Sequence, residues 1–214
     1  MSDFLIDSKG IYRCKSWSEF VWQKHEFGAR QANPTPAVTL RQIHSARVRE
    51  AESGIDRLEG DGLVTDQVGL SIGIRTADCL PILLLDPRSR AVGAVHAGWR
   101  GSAGQIIVHA IDQLQARYGA RPAEIQAAIG PCIRACCYEV GADVAERFRR
   151  WLPGLHSHLD LVEANKMQMI EAGVSPQNIF DSGLCTFCHP DQLFSYRREP
   201  TNPGRQISAI ERIT

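Results

Sequence analysis

The sequence predicts an α+β fold with helices packed on a mixed β-sheet. Three observations carry that reading. Short apolar runs bounded by Gly and Pro alternate with helical periods along the chain. One segment, from Ala103 to Tyr118, has a clear apolar helical face. Two neighbouring apolar runs are joined by a hairpin-sized turn, which a purely parallel βαβ order would not contain.

The elements follow in order. Val38-Thr-Leu40 is apolar and leads into Gln42-Ile-His44-Ser45. Gly69–Ile74 alternates small and apolar residues and ends at a polar knot, Arg75-Thr-Ala-Asp78. Cys79–Leu85 reads as a strand buried on both faces, closed by the turn Asp86-Pro-Arg-Ser89. Ala91–Val95 returns beside it, and His96–Ser102 is a small-residue loop feeding the helix. In that helix Ala103, Ile107, Ala110, Ile111, Leu114 and Tyr118 share a face, Gly119 stops it, and His109 projects to solvent. Further strands are expected at 125–129, 179–182 and 206–213. Helices are expected at 142–151 and 159–172, with a short one at 191–198.

The 214 residues suit one domain spanning 1–214, long enough to bury about 70% of the surface of the unfolded chain. Lys plus Arg and Asp plus Glu both number 24, so neither nucleic acid nor an anionic membrane is an expected partner. No apolar run approaches the roughly 18 residues of a transmembrane helix. The segment MSDFLIDSKG lacks the apolar core of a secretory signal. Seven cysteines in that setting read as reduced thiols, and the expected location is the cytoplasm.

Three ligand-type side chains occupy similar strand-end positions: His44, Cys79 and His96. Two imidazoles and a thiolate suit zinc and leave a fourth position open. Their spacings, 35 and 17 residues, are not those of a zinc finger, so the fold would have to assemble the site. Cys79 and His96 on adjacent antiparallel strands could instead form a nucleophile–base pair. Three unrelated, locally satisfied residues are the third alternative. The CxxC at Cys185–Cys188 could be half a structural zinc site completed from Cys132, Cys136 and Cys137. No second CxxC exists, so metal is not expected there. Arg75 and Arg100 each lie four residues from a candidate ligand, and their planar forks suit an anion such as phosphate. Arg197 and Arg198 follow the aromatic pair Phe194 and Tyr196. No dinucleotide or Walker loop is present.

Several motifs occur in a single order. They are Gln42-Ile-His44-Ser, Asp61-Gly-Leu-Val-Thr65, Thr76-Ala-Asp-Cys-Leu-Pro81, His96-Ala-Gly-Trp-Arg-Gly101, Ile129-Gly-Pro-Cys-Ile133 with Tyr138–Gly141, Leu184-Cys-Thr-Phe-Cys188 and Phe194–Arg198. From about residue 38 onward the chain resembles the YfiH-type laccase-domain family, once labelled multicopper polyphenol oxidases. The resemblance implies a mixed-sheet sandwich of the CNF/YfiH-like fold, related to toxin deamidases with a Cys–His dyad. It also implies a zinc-dependent enzyme that phosphorolyses adenosine, inosine, guanosine and methylthioadenosine and deaminates adenosine. Purine nucleosides and phosphate are then the partners, and His44, Cys79 and His96 the metal ligands. Catalytic roles fall to Cys79, His96 and Asp78, with Asp78 shuttling protons, while Arg75 and Arg100 hold phosphate. Copper (Cu2+) fits less well than Zn2+, because multicopper sites need many histidines. Family members carry a longer amino-terminal part with a Gly-rich loop before the first His motif. Here His44 comes early, and His25-Glu-Phe27 through Arg30 is the stretch similar to that region, so an altered substrate range or weak activity is expected. The competing classes are a Cys–His thiol hydrolase or amidase, a copper phenol oxidase and a non-catalytic zinc-folded binding module.

Overall fold

The computed structural model describes residues 3–54 and 58–214. In chain order its strands begin with β1 (Phe4–Ile6), β2 (Tyr12–Cys14), β3 (Gln23–Phe27), β4 (Val38–Thr39), β5 (Val48–Glu50) and β6 (Gly62–Thr65). They continue with β7 (Ser71–Thr76), β8 (Leu80–Leu85), β9 (Val92–Ala97), β10 (Gln126–Ile129), β11 (Ile179–Asp181) and β12 (Gln206–Arg212). The helices are α1 (Trp99–Ala103), α2 (Ile106–Tyr118), α3 (Ala142–Phe148) and α4 (Leu161–Glu171). One sheet has the order β1-β2-β3-β12-β7-β4 and the other β11-β10-β8-β9-β6-β5. Parallel pairs (β4 with β7, β5 with β6, β10 with β11) join otherwise antiparallel neighbours. The α+β reading with mixed sheets therefore holds, and so does the sandwich.

Strand β8 shows how the sequence makes this layering. Its side chains alternate between the two faces. Leu83 and Leu85 pack with Phe27, Ile72, Ile74 and Ile210 between the sheets. Leu80, Ile82 and Leu84 pack with Ile107, Ile111 and Leu114 of α2 on the other face. With no face left to water, the strand carries no polar residue. It pairs antiparallel with β9 from Leu80–Ala97 to Leu85–Val92, which is the expected hairpin. Asp86 closes the turn by accepting from the Ser89 amide at 2.8 Å and the Ser89 hydroxyl at 2.5 Å.

The structure differs from the sequence reading in four places. The long helix is two: Gln105 takes a left-handed conformation (φ 58°), which ends α1 and starts α2. Its expected stop is correct, with Gly119 at φ 67°. Residues 191–198 form turns instead of a helix. There the Arg198 guanidinium donates to the carbonyls of Thr186, Phe187 and Leu193, fixing an irregular path. Strand β9 runs one residue past His96. Finally, β1, β2 and β3 add half a sheet that the amino-terminal sequence did not announce. His109 is exposed as expected, although its Nδ1 lies 2.9 Å from the Ala46 carbonyl. Among the described residues no helix is long and apolar enough to cross a membrane.

Candidate metal centre and cleft

The sandwich end at which the chain changes sheets carries the candidate site. β7 and β8 belong to different sheets, and only Ala77, Asp78 and Cys79 join them. Asp78 turns this corner at φ 83°. The loop from β4 to β5 also crosses between sheets and carries His44 at φ 57°. Such conformations cost non-glycine residues of the order of 1–3 kcal/mol and persist where surrounding contacts over-determine them. Here the contacts are visible. The His44 amide donates to Asp61 Oδ1 at 2.9 Å. Asp78 accepts from the Thr186 hydroxyl and from the Arg197 amide, both at 2.6 Å.

His44, Cys79 and His96 present ligand atoms within 4.8 Å of one another. The two imidazole rings meet edge to face, with centroids 4.9 Å apart. A Cβ on Gly98 would sit 2.9 Å from Cys79 Sγ and 3.4 Å from His44 Cδ2. The glycine of the His-Ala-Gly-Trp run thus leaves room for the sulfur to face both rings. Two imidazoles and one thiolate converging without a fourth ligand among the described residues fit a metal that keeps an open position. The sequence expectation that the fold assembles these three residues is met geometrically.

Asp61, which opens the Asp-Gly-Leu-Val-Thr65 run, is the organising residue that sequence reasoning misses. It is fully buried, and its Oδ1 lies 2.8 Å from His96 Nδ1. Its Oδ2 accepts from the Ser45 amide at 2.6 Å and the Ser45 hydroxyl at 2.7 Å. Backbone pairing locks the same residues, since the His96 amide donates to the Asp61 carbonyl at 2.7 Å. Burial pushes the Asp61 carboxyl up, but the hydrogen bonds from His96 and Ser45 outweigh it and hold the group at about 2. The carboxylate fixes the His96 tautomer with Nδ1–H toward Asp61 and leaves Nε2 for the site. Burial likewise raises the Cys79 thiol, yet hydrogen bonds with His44 and His96 bring it down to about 6. His96 moves the other way, to about 9, because Asp61 and Cys79 outweigh its desolvation.

A cleft of about 860 Å³ opens over these ligands. Gln42, Asp78, Trp99, Ile133, Tyr138 and Tyr196 line it, and Arg41, Arg75, Arg100, Arg197 and Arg205 surround it. Arg75 and Arg100 therefore share the cleft with the ligands, as expected, and both are exposed. The Arg100 guanidinium stacks on Trp99 at 4.3 Å from the ring centroid, which leaves its edge donors free. Gln42 earns its place in the Gln-x-His run: its amide both accepts from the Arg75 N–H and donates to the Arg75 carbonyl, each at 2.8 Å. Arg198 is not in the cleft lining and serves the loop beneath it.

Comparison with known proteins agrees with this geometry. The model of the family described as multi-copper polyphenol oxidoreductase laccase matches residues 21–213. The chain belongs to that family. Among its relatives is the purine nucleoside phosphorylase YlmD of Geobacillus stearothermophilus, 36% identical over 198 residues, covering 82% of this chain and 72% of the relative. Another is adenosine deaminase RL5 from an unknown prokaryotic organism, 39% identical, covering 82% of this chain and 74% of that protein. The crystal structure of Geobacillus YlmD superposes with a TM-score of 0.90 at 28% identity over the whole of both chains. The YfiH protein of Bacillus licheniformis does so with a TM-score of 0.88 at 26% identity over 99% of each. The laccase-type family supplies enzymes named for nucleoside chemistry, and this member has the laccase-type fold.

Proposed function

We propose that this laccase-type protein is a metal-dependent purine nucleoside phosphorylase that also deaminates adenosine, working as one domain in a reducing cytoplasm. The convergence of His44, Cys79 and His96 at the floor of an arginine-rimmed cleft carries this reading. The relatives named purine nucleoside phosphorylase and adenosine deaminase support it. The cleft volume suits a ligand of nucleoside size. Zinc is the ion that the thiolate and imidazoles favour, and when bound it supplies Lewis acidity at the cleft floor. Neither metal-ligand cluster among the described residues holds more than two histidines, which argues against a multicopper oxidase.

In phosphorolysis a phosphate oxygen forms a bond to C1′ of the ribose as the N-glycosidic bond breaks. The bonding pair leaves with the purine, which takes up a proton. Arg75 and Arg100 orient the phosphate, and Tyr138 and Tyr196 offer faces for the purine. Asp61 holds His96 in register. Asp78, expected from sequence to shuttle protons, has both carboxylate oxygens engaged, so positioning of the Thr186 and Arg197 loops is the role its contacts favour. The deciding experiment incubates purified protein with adenosine or inosine, with and without phosphate, and separates the products. Phosphate-dependent release of free base, with inosine formed from adenosine regardless of phosphate, is the expected result. Absence of both from metal-loaded protein would overturn the reading.

One observation favours a second reading. Cys79 beside His96, whose Nδ1 is held by Asp61, is also the arrangement of a thiol nucleophile with an oriented base. In that case iodoacetamide should label Cys79 in the metal-loaded protein and abolish activity, whereas a liganded thiolate is protected.

A further inference from the structure

Of the six cysteines outside the cleft's ligand set, four gather in one place. Cys136, Cys137, Cys185 and Cys188 have their Sγ atoms within 4.8 Å of one another. Two separations are 3.4 Å (Cys137 to Cys188) and 3.8 Å (Cys136 to Cys188). These exceed the roughly 2.05 Å of a disulfide. They are close to the ~3.8 Å edge of a tetrahedron whose centre lies ~2.3 Å from each sulfur, the Zn–S distance. We propose that these four cysteines bind a second, structural zinc ion, separate from the His44–Cys79–His96 site.

The fold brings the ligands together by backbone pairing that no cysteine spacing announces. Residues after β10 and β11 run side by side, with a parallel bridge between Cys132 and Cys185 and the Thr186 amide donating to the Cys132 carbonyl at 2.9 Å. Tight turns follow on both sides, and the Cys137 amide donates to the Arg134 carbonyl at 2.9 Å. The CxxC thus finds its partners in the adjacent Cys136 and Cys137. This corrects the expectation that it lacks a second pair. Cys132 is fully buried and stands outside the cluster. The backbone N–H groups of Arg134 and Cys188 bond to the Cys185 sulfur and fix its position in the cluster. Four thiolates select zinc among the common divalent ions, and a binuclear iron–sulfur cluster would spread its ligands farther apart.

The ion would cross-link two turns that both reach the cleft. Tyr138 follows Cys137 and lines the cleft, and Thr186 follows Cys185 and holds Asp78. The proposal does not depend on the nucleoside reading, because its test counts metal. Full-length protein purified from zinc-containing medium should carry about two zinc ions per chain. The triple variant His44→Ala/Cys79→Ala/His96→Ala and the double variant Cys136→Ser/Cys188→Ser should each retain about one. Should the double variant fail to fold, cobalt substitution of the triple variant tests the same point. It should give the intense visible bands and thiolate charge-transfer absorption of a tetrahedral four-sulfur site. A metal-free triple variant would overturn the proposal. So would a Cys137–Cys188 disulfide in protein purified and handled under reducing conditions, seen as a loss of two hydrogens by mass.

Discussion

Asp61 shows how one buried carboxylate organises the site. It accepts the amides of His44 and Ser45, the Ser45 hydroxyl and the His96 imidazole. One side chain thereby fixes two of the three candidate ligands, His96 through its ring and His44 through its strained backbone. Removing its charge while keeping its shape should loosen both. Asp61→Asn is therefore expected to weaken metal binding at the His44–Cys79–His96 site by about 10–100-fold with the chain still folded. Competition with a chromogenic chelator measures the affinity, and circular dichroism checks the fold. Unchanged affinity would reduce Asp61 to a packing residue. The three candidate ligands stand at strand ends in the sequence, but position alone left a shared metal site, a Cys–His pair and three unrelated residues open. The motif resemblance is what pointed to a metal set. Asp61 was not legible, because an aspartate before a short apolar strand is indistinguishable from a turn residue until its burial is known.

At the scale of elements, legibility followed burial. Strand β8 was evident because it is buried on both faces, and α2 because one of its faces is. Strands β1 and β2, three residues each, offer too short a pattern to detect. The break at Gln105 was hidden because glutamine has no special preference for a left-handed conformation. The amino-terminal strands also hold a titratable group. His25 on β3 is buried, and its Nε2 accepts from the Cys14 amide at 2.9 Å. Its Nδ1 lies 3.0 Å from Gln23 Oε1. The Gln23 Nε2 donates to the Trp17 carbonyl, so Oε1 must accept and His25 must be the neutral Nδ1–H tautomer. Burial, with Arg13 adding to it, pushes His25 down from 6.5 to about 3. The unfolded chain binds a proton on this residue between those values and the folded chain does not. Stability from this group is thus complete above pH 6.5 and is lost as pH falls toward 3. The slope should approach about 1.4 kcal/mol per pH unit between pH 6 and 4. His25→Gln should flatten that slope in urea titrations; an identical slope in both proteins would mean the histidine is already solvated.

Across the whole molecule, the charge is balanced but unevenly placed. Net charge is zero by count, yet five arginines and a single acid, Asp78, line the cleft. Arg41 is partly neutralised by its pairing with Glu59. Arg75 and Arg100 remain as exposed cations beside the ligand cluster. A concave site rimmed by one sign of charge concentrates anions even on a neutral protein, and salt weakens the effect over a screening length of about 8 Å at 0.15 M. If phosphate is the anion, its apparent KM should rise with ionic strength more steeply than that of adenosine in deamination, which uses no phosphate. Arg75→Ala or Arg100→Ala should then lower phosphorolysis by roughly ten- to a hundredfold, the loss of about 1.5–3 kcal/mol from a charge-assisted contact, and spare deamination. The ratio of free base to inosine formed from adenosine, followed at varied phosphate and salt, measures both effects at once. Parallel loss of both activities would mean the arginine side chains shape the cleft wall, as Arg100 does by bracing Trp99. A phosphate dependence identical to that of the unaltered protein would exclude both arginines from the anion's path.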